Sequence, residues 1–450
     1  MNTPICDFVE KYAASGALRL HMPGHKGISL TGMENRDITE ISGADDLFHA
    51  CGIIAESEKN AANLFGTAAS FYSTEGSSLC IRAMLLMAMQ YAGKSGRKAK
   101  IIAGRNAHKA FITAAALLDF EYIWLEGDSA TYLSCRVDLE ALENMLQAEK
   151  PAAVYITSPD YLGNTEDIAA ISKICKKHGC LLLVDNAHGA YLKFLPESRH
   201  PMDLGADICC DSAHKTLPAL TGAAYLHISK DAPEALIPLA KPAMSLFAST
   251  SPSYLILQSL DRVNAYLSGG FSEKLVAFIP KAAQLRDEIC ALGYDISADE
   301  PMKITIMPKK RGYTGEAIAE LLEKQGVVCE FADRDHIVLM LSCEFSDADL
   351  EQIKNALASI EKKAALACLP PQMQLPKRKM HVRDALSLPR RIVSAQASLG
   401  CISAATNIAC PPAVPIAVCG EIIDENIIEI LKYYGVERCE IIDTENESEA

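Results

Sequence analysis

Four short apolar runs punctuate the chain, each closing on a polar loop: Ala99 to Ala103, Pro151 to Thr157, Cys180 to Asp185 and Gly205 to Cys210. Bounded apolar runs of this length read as buried strands. Helical spacing separates them. Residues 53–65 and 110–118 read as helices, and Ser73-Thr-Glu-Gly-Ser-Ser78 opens a long apolar stretch from Leu79 to Tyr91. Between the second and third runs, Ile168, Ile171, Ile174 and Cys175 share one helical face, and His178-Gly179 closes that helix. Strand, helix and strand in this order make a βαβ unit. Repetition of such units predicts a mostly parallel sheet covered by helices, with ligands at the C-terminal strand ends. The fold class expected is therefore α/β.

After about residue 270 the pattern changes. Residues 272–295 read as a long helix, 302–307 and 336–341 as strands, and 348–364 as a helix. A basic, proline-containing segment spans 370–383. An apolar, proline-rich stretch follows to Cys419, then a helix over 425–434 and an acidic, disordered tail from Asp443. This divides the chain into a major domain (1–270), a small α/β domain (271–370) and a C-terminal region (371–450).

The sequence has 450 residues, 49% of them hydrophobic and 22% charged, which suits a globular protein of more than one domain. No apolar run reaches the roughly 18 residues of a membrane span, and the N-terminus lacks a signal peptide's basic start and apolar core. A cytoplasmic protein with no membrane partner is expected. The formal net charge of −14 argues against nucleic acid, since neutralising phosphates needs clustered Lys and Arg. It mildly favours a cationic ligand. The sixteen cysteines are scattered with no Cys-x-x-Cys pair, so reduced, buried thiols are expected. Cys401, Cys410 and Cys419 are evenly spaced but nothing completes a ligand set, so no metal is expected there.

Candidate chemistry gathers at the strand ends. Cys180-Leu-Leu-Leu-Val-Asp185 ends in a carboxylate, and Gly205–Cys210 leads into Asp211-Ser-Ala-His-Lys215-Thr. A carboxylate and a lysine at adjacent strand ends are what a pyridoxal phosphate (PLP) site needs. The lysine forms a Schiff base, and the acid holds the pyridine nitrogen protonated so that the ring acts as an electron sink. The Ser73–Ser78 turn opens a helix whose N-terminal N–H groups, with hydroxyls at Ser77 and Ser78, suit a phosphate. His108, just past a strand end, is placed to lie against a planar ring. His21-Met-Pro-Gly-His-Lys-Gly27 is a dense polar loop of the kind that carries function.

Taken in order, these motifs resemble the prokaryotic ornithine/lysine/arginine decarboxylase family, PLP-dependent enzymes with the fold of aspartate aminotransferase. The stretches that carry the resemblance are His21–Gly27, Asp37–Glu40, Ser73–Ser78, Arg105–Lys109, Thr157–Gly163, Val184–Ala190, Ser212–Thr216, Ser249–Tyr254 and Pro411 to Glu421. The resemblance implies a fold type I major domain with a seven-stranded-type sheet and a smaller α/β C-terminal region. It implies Lys215 as the Schiff-base lysine, Asp185 as the partner of the pyridine nitrogen and His108 stacked on the ring. Gly76, Ser77, Ser212 and His214 would hold the phosphate, with Ala187 and His188 beside the ring. His214 or Lys215 would return a proton to Cα. A homodimer with shared sites is implied, Thr250 or Ser251 reaching the neighbouring phosphate.

The implied reaction is decarboxylation of arginine, lysine or ornithine to the amine. Glu421, Asp45 and Asp46 are candidates for the carboxylate that pairs with the substrate's cationic end. Other chemistries hosted by the fold, transamination or elimination, and a degenerate PLP-binding paralogue are the alternatives. Three departures stand out. The chain opens at the His-Met-Pro-Gly-His motif without the family's N-terminal wing domain, so large ring assemblies are not expected. Ala409-Cys410-Pro-Pro-Ala413 replaces a usual tyrosine and glycine, and Glu75 replaces the usual asparagine of the phosphate turn.

Overall fold

A computed structural model describes residues 1–94, 96, 99–125, 127–128, 131–297, 299–405 and 414–443. The Ala409–Ala413 departure, Cys410 and the acidic tail after Asp443 lie outside the described residues. In chain order the elements are α1 (Pro4–Ala14), α2 (Ile53–Phe65), β1 (Ala69–Ser73), α3 (Gly76–Lys94), β2 (Lys100–Gly104), α4 (Lys109–Leu118), β3 (Glu121–Leu125) and α5 (Leu139–Glu149). Then come β4 (Ala153–Thr157), α6 (Ile168–Lys177), β5 (Leu181–Asp185), β6 (Ile208–Asp211), the single turn α7 (Ala213–Thr216), β7 (Ala224–Ile228), α8 (Ile237–Ser245), α9 (Tyr254–Ser268) and α10 (Phe271–Ala291).

These strands form a seven-stranded sheet in the order β1-β7-β6-β5-β4-β2-β3. β4, β5 and β6 pair in parallel, with Thr157 opposite Asp185 and Asp185 opposite Cys210. The helix between β4 and β5 is the crossover that parallel pairing requires. β7 runs antiparallel to β6, because the link from Asp211 to Ala224 is too short for a crossover, and it pairs antiparallel with β1 on its other side. Strands β5, β6 and β7 are buried along their whole length, which explains why they are apolar apart from Asp185, Asp211 and His227.

The chain divides into two compact units. The first comprises Met1–Ile102, Glu143–Ser158 and Asp167–Leu275, and it holds β1, β4–β7 and helices α1–α3 and α6–α9. The second comprises Ala103–Leu142, Pro159–Glu166 and Val276–Ala450. In it, β8 (Asp295–Ile296), β9 (Lys303–Met307), β10 (Phe331–Ala332) and β11 (Ile337–Met340) form an antiparallel sheet ordered β8-β9-β11-β10. Helices α11 (Gly315–Glu323) and α12 (Asp347–Ala358) belong to the same unit, as do β12 (Arg390–Ser394), α13 (Val382–Ser387), α14 (Glu425–Tyr433) and β13 (Arg438–Ile442).

The expected helix over 348–364 ends at Ala358. Ile360 is buried, and its carbonyl accepts the Arg311 guanidinium, so tertiary contacts take the chain out of the helix there. Among the described residues no helix is long and apolar enough to cross a membrane.

Candidate active site

The strand ends of the first unit bring the predicted chemistry together. Asp185 is the last residue of β5 and is 2% exposed. Its Oδ2 accepts the Tyr155 hydroxyl at 3.0 Å, and its Oδ1 accepts the Ala187 N–H at 3.2 Å and the Cys210 thiol at 3.7 Å. Burial pushes its carboxyl above the ordinary range, opposed by the Tyr155 hydrogen bond and the positive charge of Lys215. Lys215 lies in α7, and its Nζ is 3.1 Å from His188 Nε2. Where the Lys215 amine donates, His188 accepts on Nε2 and carries its hydrogen on Nδ1.

The neighbouring strand end supplies hydroxyls. Ser212 precedes α7, and its Oγ donates to Ser77 Oγ at 2.8 Å, at the N-terminus of the 19-residue helix α3. Gly76 has φ +71, a conformation natural to glycine, and nothing lies within 4 Å of where its Cβ would be. Its N–H donates to Gly222 O at 2.7 Å, so Gly76 offers an anion shape rather than a donor. His214 Nδ1 is 2.9 Å from Ala223 O and therefore carries the hydrogen. Neutral His214 then presents Nε2 as an acceptor, and it becomes a phosphate donor only when protonated.

Thr216 Oγ1 is buried with no hydrogen-bond partner among the described residues. The open cradle beside Gly76, the paired serine hydroxyls, an orphaned hydroxyl next to Lys215 and a buried acid one strand away together fit a phosphorylated pyridine aldehyde.

Thr250 and Ser251 are exposed. Their loop is tied to the same chain's Ser73–Ser78 turn, because Ser249 N–H donates to Glu75 Oε1 at 2.7 Å. Glu75 thus serves as a loop anchor. The His21–Gly27 loop also belongs to this unit, with His25 held by Asp37 at 3.2 Å and by the Gly27 N–H at 3.0 Å.

In the second unit His108 caps α4, its Nδ1 accepting the Ala110 N–H at 3.1 Å. Glu421 does not serve as a free carboxylate. It is fully buried, and Arg105, the Trp124 indole N–H and the Val418 N–H donate to it at 3.2, 3.0 and 2.7 Å. Asp45 and Asp46, in the first unit, are likewise occupied. Asp45 accepts backbone N–H groups from Cys51, Gly52 and Ile54 at the start of α2, and Asp46 accepts those of Phe48 and His49. Glu421 and Asp45 are thus used to build the fold, while Asp46 is exposed and takes both N–H groups on Oδ1 alone.

Sequence reasoning missed Tyr155, Cys210 and a buried cluster behind them. Asp211 is fully buried, accepts Asn186 Nδ2 at 2.7 Å and His200 Nε2 at 2.9 Å, and has His227 Nε2 at 3.3 Å. Burial alone would raise its carboxyl, but the attraction of His200 and His227 and the hydrogen bond from His200 outweigh that and hold it well below the usual range. The in-register pairing of β4, β5 and β6 was the signal that could have found Tyr155 and Cys210.

Comparison with known proteins matches residues 3–302 to the family model described as the Orn/Lys/Arg decarboxylase major domain. The chain is similar to the arginine decarboxylase of Bacillus subtilis (29% identical, covering 96% of this chain and 93% of that one). It is similar also to the arginine decarboxylase of Halalkalibacterium halodurans (28%, with the same shares). Among solved structures it resembles the constitutive lysine decarboxylase of E. coli, with TM-score 0.79 and 18% identity over 98% of this chain and 82% of that one. Lysine decarboxylase A of Pseudomonas aeruginosa gives TM-score 0.80 at 17% identity over 96% and 75%. A NifS-like protein shares the fold more distantly, with TM-score 0.54 over 68% of this chain and 86% of that one, at 16% identity. The fold is that of PLP-dependent fold type I enzymes. The chain belongs to the ornithine/lysine/arginine decarboxylase family, and it is a PLP-dependent enzyme that decarboxylates a basic amino acid.

Proposed function

We propose that the substrate is arginine, decarboxylated to agmatine in the cytoplasm by a homodimer with shared active sites. The observation that carries the substrate is that full-length relatives named arginine decarboxylase align with 96% of this chain. Reduced thiols at every described cysteine support the compartment. Support for the dimer comes from apolar side chains left open in the first unit. Leu18, Leu20 and Leu30 are 83–84% exposed and Leu246 is 70% exposed, a pattern that marks an interaction surface.

The roles follow the strand-end geometry. Lys215 would hold the cofactor through its amine, which the partly buried contact with His188 orients. Asp185 takes the pyridine nitrogen, because it is the buried acid on the strand beside the one that leads into Lys215. Ser77, Ser212 and protonated His214 hold the phosphate around the Gly76 cradle. Ala187 and His188 would flank the ring, and His108 is the residue that the resemblance implies would stack on it. Thr250 or Ser251 reaches the phosphate of the partner subunit. PLP, when bound, supplies a conjugated pyridinium that takes up the electron pair left as carbon dioxide departs. Asp185 keeps that charge stabilised in a dry site, and Lys215 or His214 delivers the proton to Cα.

The test is amine and carbon dioxide release from PLP-loaded protein offered arginine, lysine and ornithine in turn. The proposal expects agmatine, with kcat/KM for arginine at least about tenfold above the other two, roughly 1.4 kcal/mol of discrimination. Preference for lysine or ornithine would overturn the substrate but not the reaction class.

A further inference from the structure

Asp185 does not stand alone at the end of β5. In parallel register, side chains of paired residues point to the same face, and residues two apart along a strand share that face. Thr157 and Cys210 are the register partners of Asp185, and Tyr155 pairs with Leu183, two residues before it. Tyr155 and Cys210 therefore approach the carboxylate from the two flanking strands. The phenol reaches Oδ2 at 3.0 Å along β4, and the thiol meets Oδ1 at 3.7 Å from β6. Both residues are fully buried.

Burial raises the phenol and the thiol well above their ordinary ranges, reinforced in each case by the neighbouring Asp185 charge. Both therefore stay protonated near neutral pH and can donate to the carboxylate. Removing either would leave the buried carboxylate short of a hydrogen bond in a site where water cannot replace it.

We propose that Tyr155 and Cys210 are positioning residues that act through Asp185, their two hydrogen bonds holding it as an ionised carboxylate aimed at the ligand. This rests on the reading that Asp185 pairs with the pyridine nitrogen. An ionised Asp185 stabilises a proton on that nitrogen. With one donor gone the charged pair is disfavoured against the neutral one, and the electron sink weakens. Less positive charge on the ring also makes the Schiff-base nitrogen hold its own proton more tightly, so the visible absorbance band of the lysine-bound cofactor survives to higher pH.

The experiment uses the PLP-loaded, substrate-free holoenzyme and titrates its visible band against pH. Tyr155→Phe and Cys210→Ala each move the midpoint up by about half a unit or more and lower kcat about tenfold, as expected for loss of one hydrogen bond to a charged group. Cys210→Ser keeps a donor and restores both readouts toward the native values, which a mere packing role would not do. The Cys210→Ala and Cys210→Ser pair carries the test by itself if Tyr155→Phe does not accumulate as folded protein. Asp185→Asn is the control and moves the midpoint at least as far. Native midpoints in Tyr155→Phe and Cys210→Ala beside a shifted Asp185→Asn overturn the positioning role and leave the Asp185 assignment standing. A native midpoint in Asp185→Asn overturns both.

Discussion

Glu421→Gln separates a structural carboxylate from a substrate-binding one. The native side chain is fully buried and takes three donors, while Arg105 is 4% exposed and also donates to Pro415 O and Ile416 O at 2.9 Å each. The guanidinium carbon sits 5.3 Å from the Trp124 ring centroid, so the pair is enclosed by the indole as well. A glutamine keeps the shape but turns an NH2 group toward other donors and leaves the Arg105 charge without a counter-ion. Breaking a buried pair by removing one partner costs about 3–5 kcal/mol. Arg105→Met should cost a similar amount by stranding Glu421. The double variant Arg105→Met with Glu421→Leu should cost clearly less than the sum, because no buried charge remains. Urea denaturation of the three variants gives these values. In the same proteins KM for arginine, lysine and ornithine should move together and by less than about threefold, under 1 kcal/mol. A stability loss below about 1 kcal/mol combined with a tenfold or larger rise in KM would refute the reasoning and return Glu421 to the substrate.

Three further outcomes are expected. Asp211 has a folded pKa below its unfolded value, so its stabilising contribution is present above about pH 4 and is lost as pH falls toward the folded value. Asp211→Asn should therefore weaken the protein at pH 7 and progressively less below pH 4, read by thermal melting across pH. Asp207 behaves with the opposite sign. Burial lifts its carboxyl from 3.8 to about 6, so it costs stability increasingly between those values and fully above them. Asp207→Asn, which keeps an acceptor for the Leu182 N–H, should stabilise by about 1–3 kcal/mol at pH 8 and by little at pH 4. Finally, Lys215→Ala and Thr250→Asp homodimers should each be inactive, and mixing them through reversible dissociation should restore activity in the heterodimer's one intact site. No recovery would place Thr250 on its own subunit's phosphate.

The parts of this protein legible in its sequence are those set by local pattern. Ile53–Phe65 forms as a helix over the span its spacing predicts, and Leu181–Asp185 forms as a buried strand because an apolar run ends at one carboxylate. Asp185 and Lys215 were readable for the same reason, since Asp185 ends a strand and Lys215 lies in the short turn that follows the next one. What depends on distant partners was not readable. Arg105 and Glu421 are separated by 316 positions, and nothing near either reveals that it is spent on the other. β7 was hidden because Ala224-Tyr-Leu-His-Ile228 carries His227 into the core, where Ser70 holds its Nδ1 at 2.7 Å. Tyr155 looked like one more apolar strand residue until register placed its hydroxyl on Asp185.

The central claim is that this decarboxylase works through a PLP Schiff base on Lys215. Reducing the PLP-loaded protein with borohydride fixes the cofactor to its lysine, and peptide mass mapping then locates it. The account predicts a phosphopyridoxyl mass on the peptide containing Lys215, at close to one per chain, with decarboxylation lost in proportion. The same mass on another lysine, or a reduced protein that still releases carbon dioxide at the native rate, would contradict it.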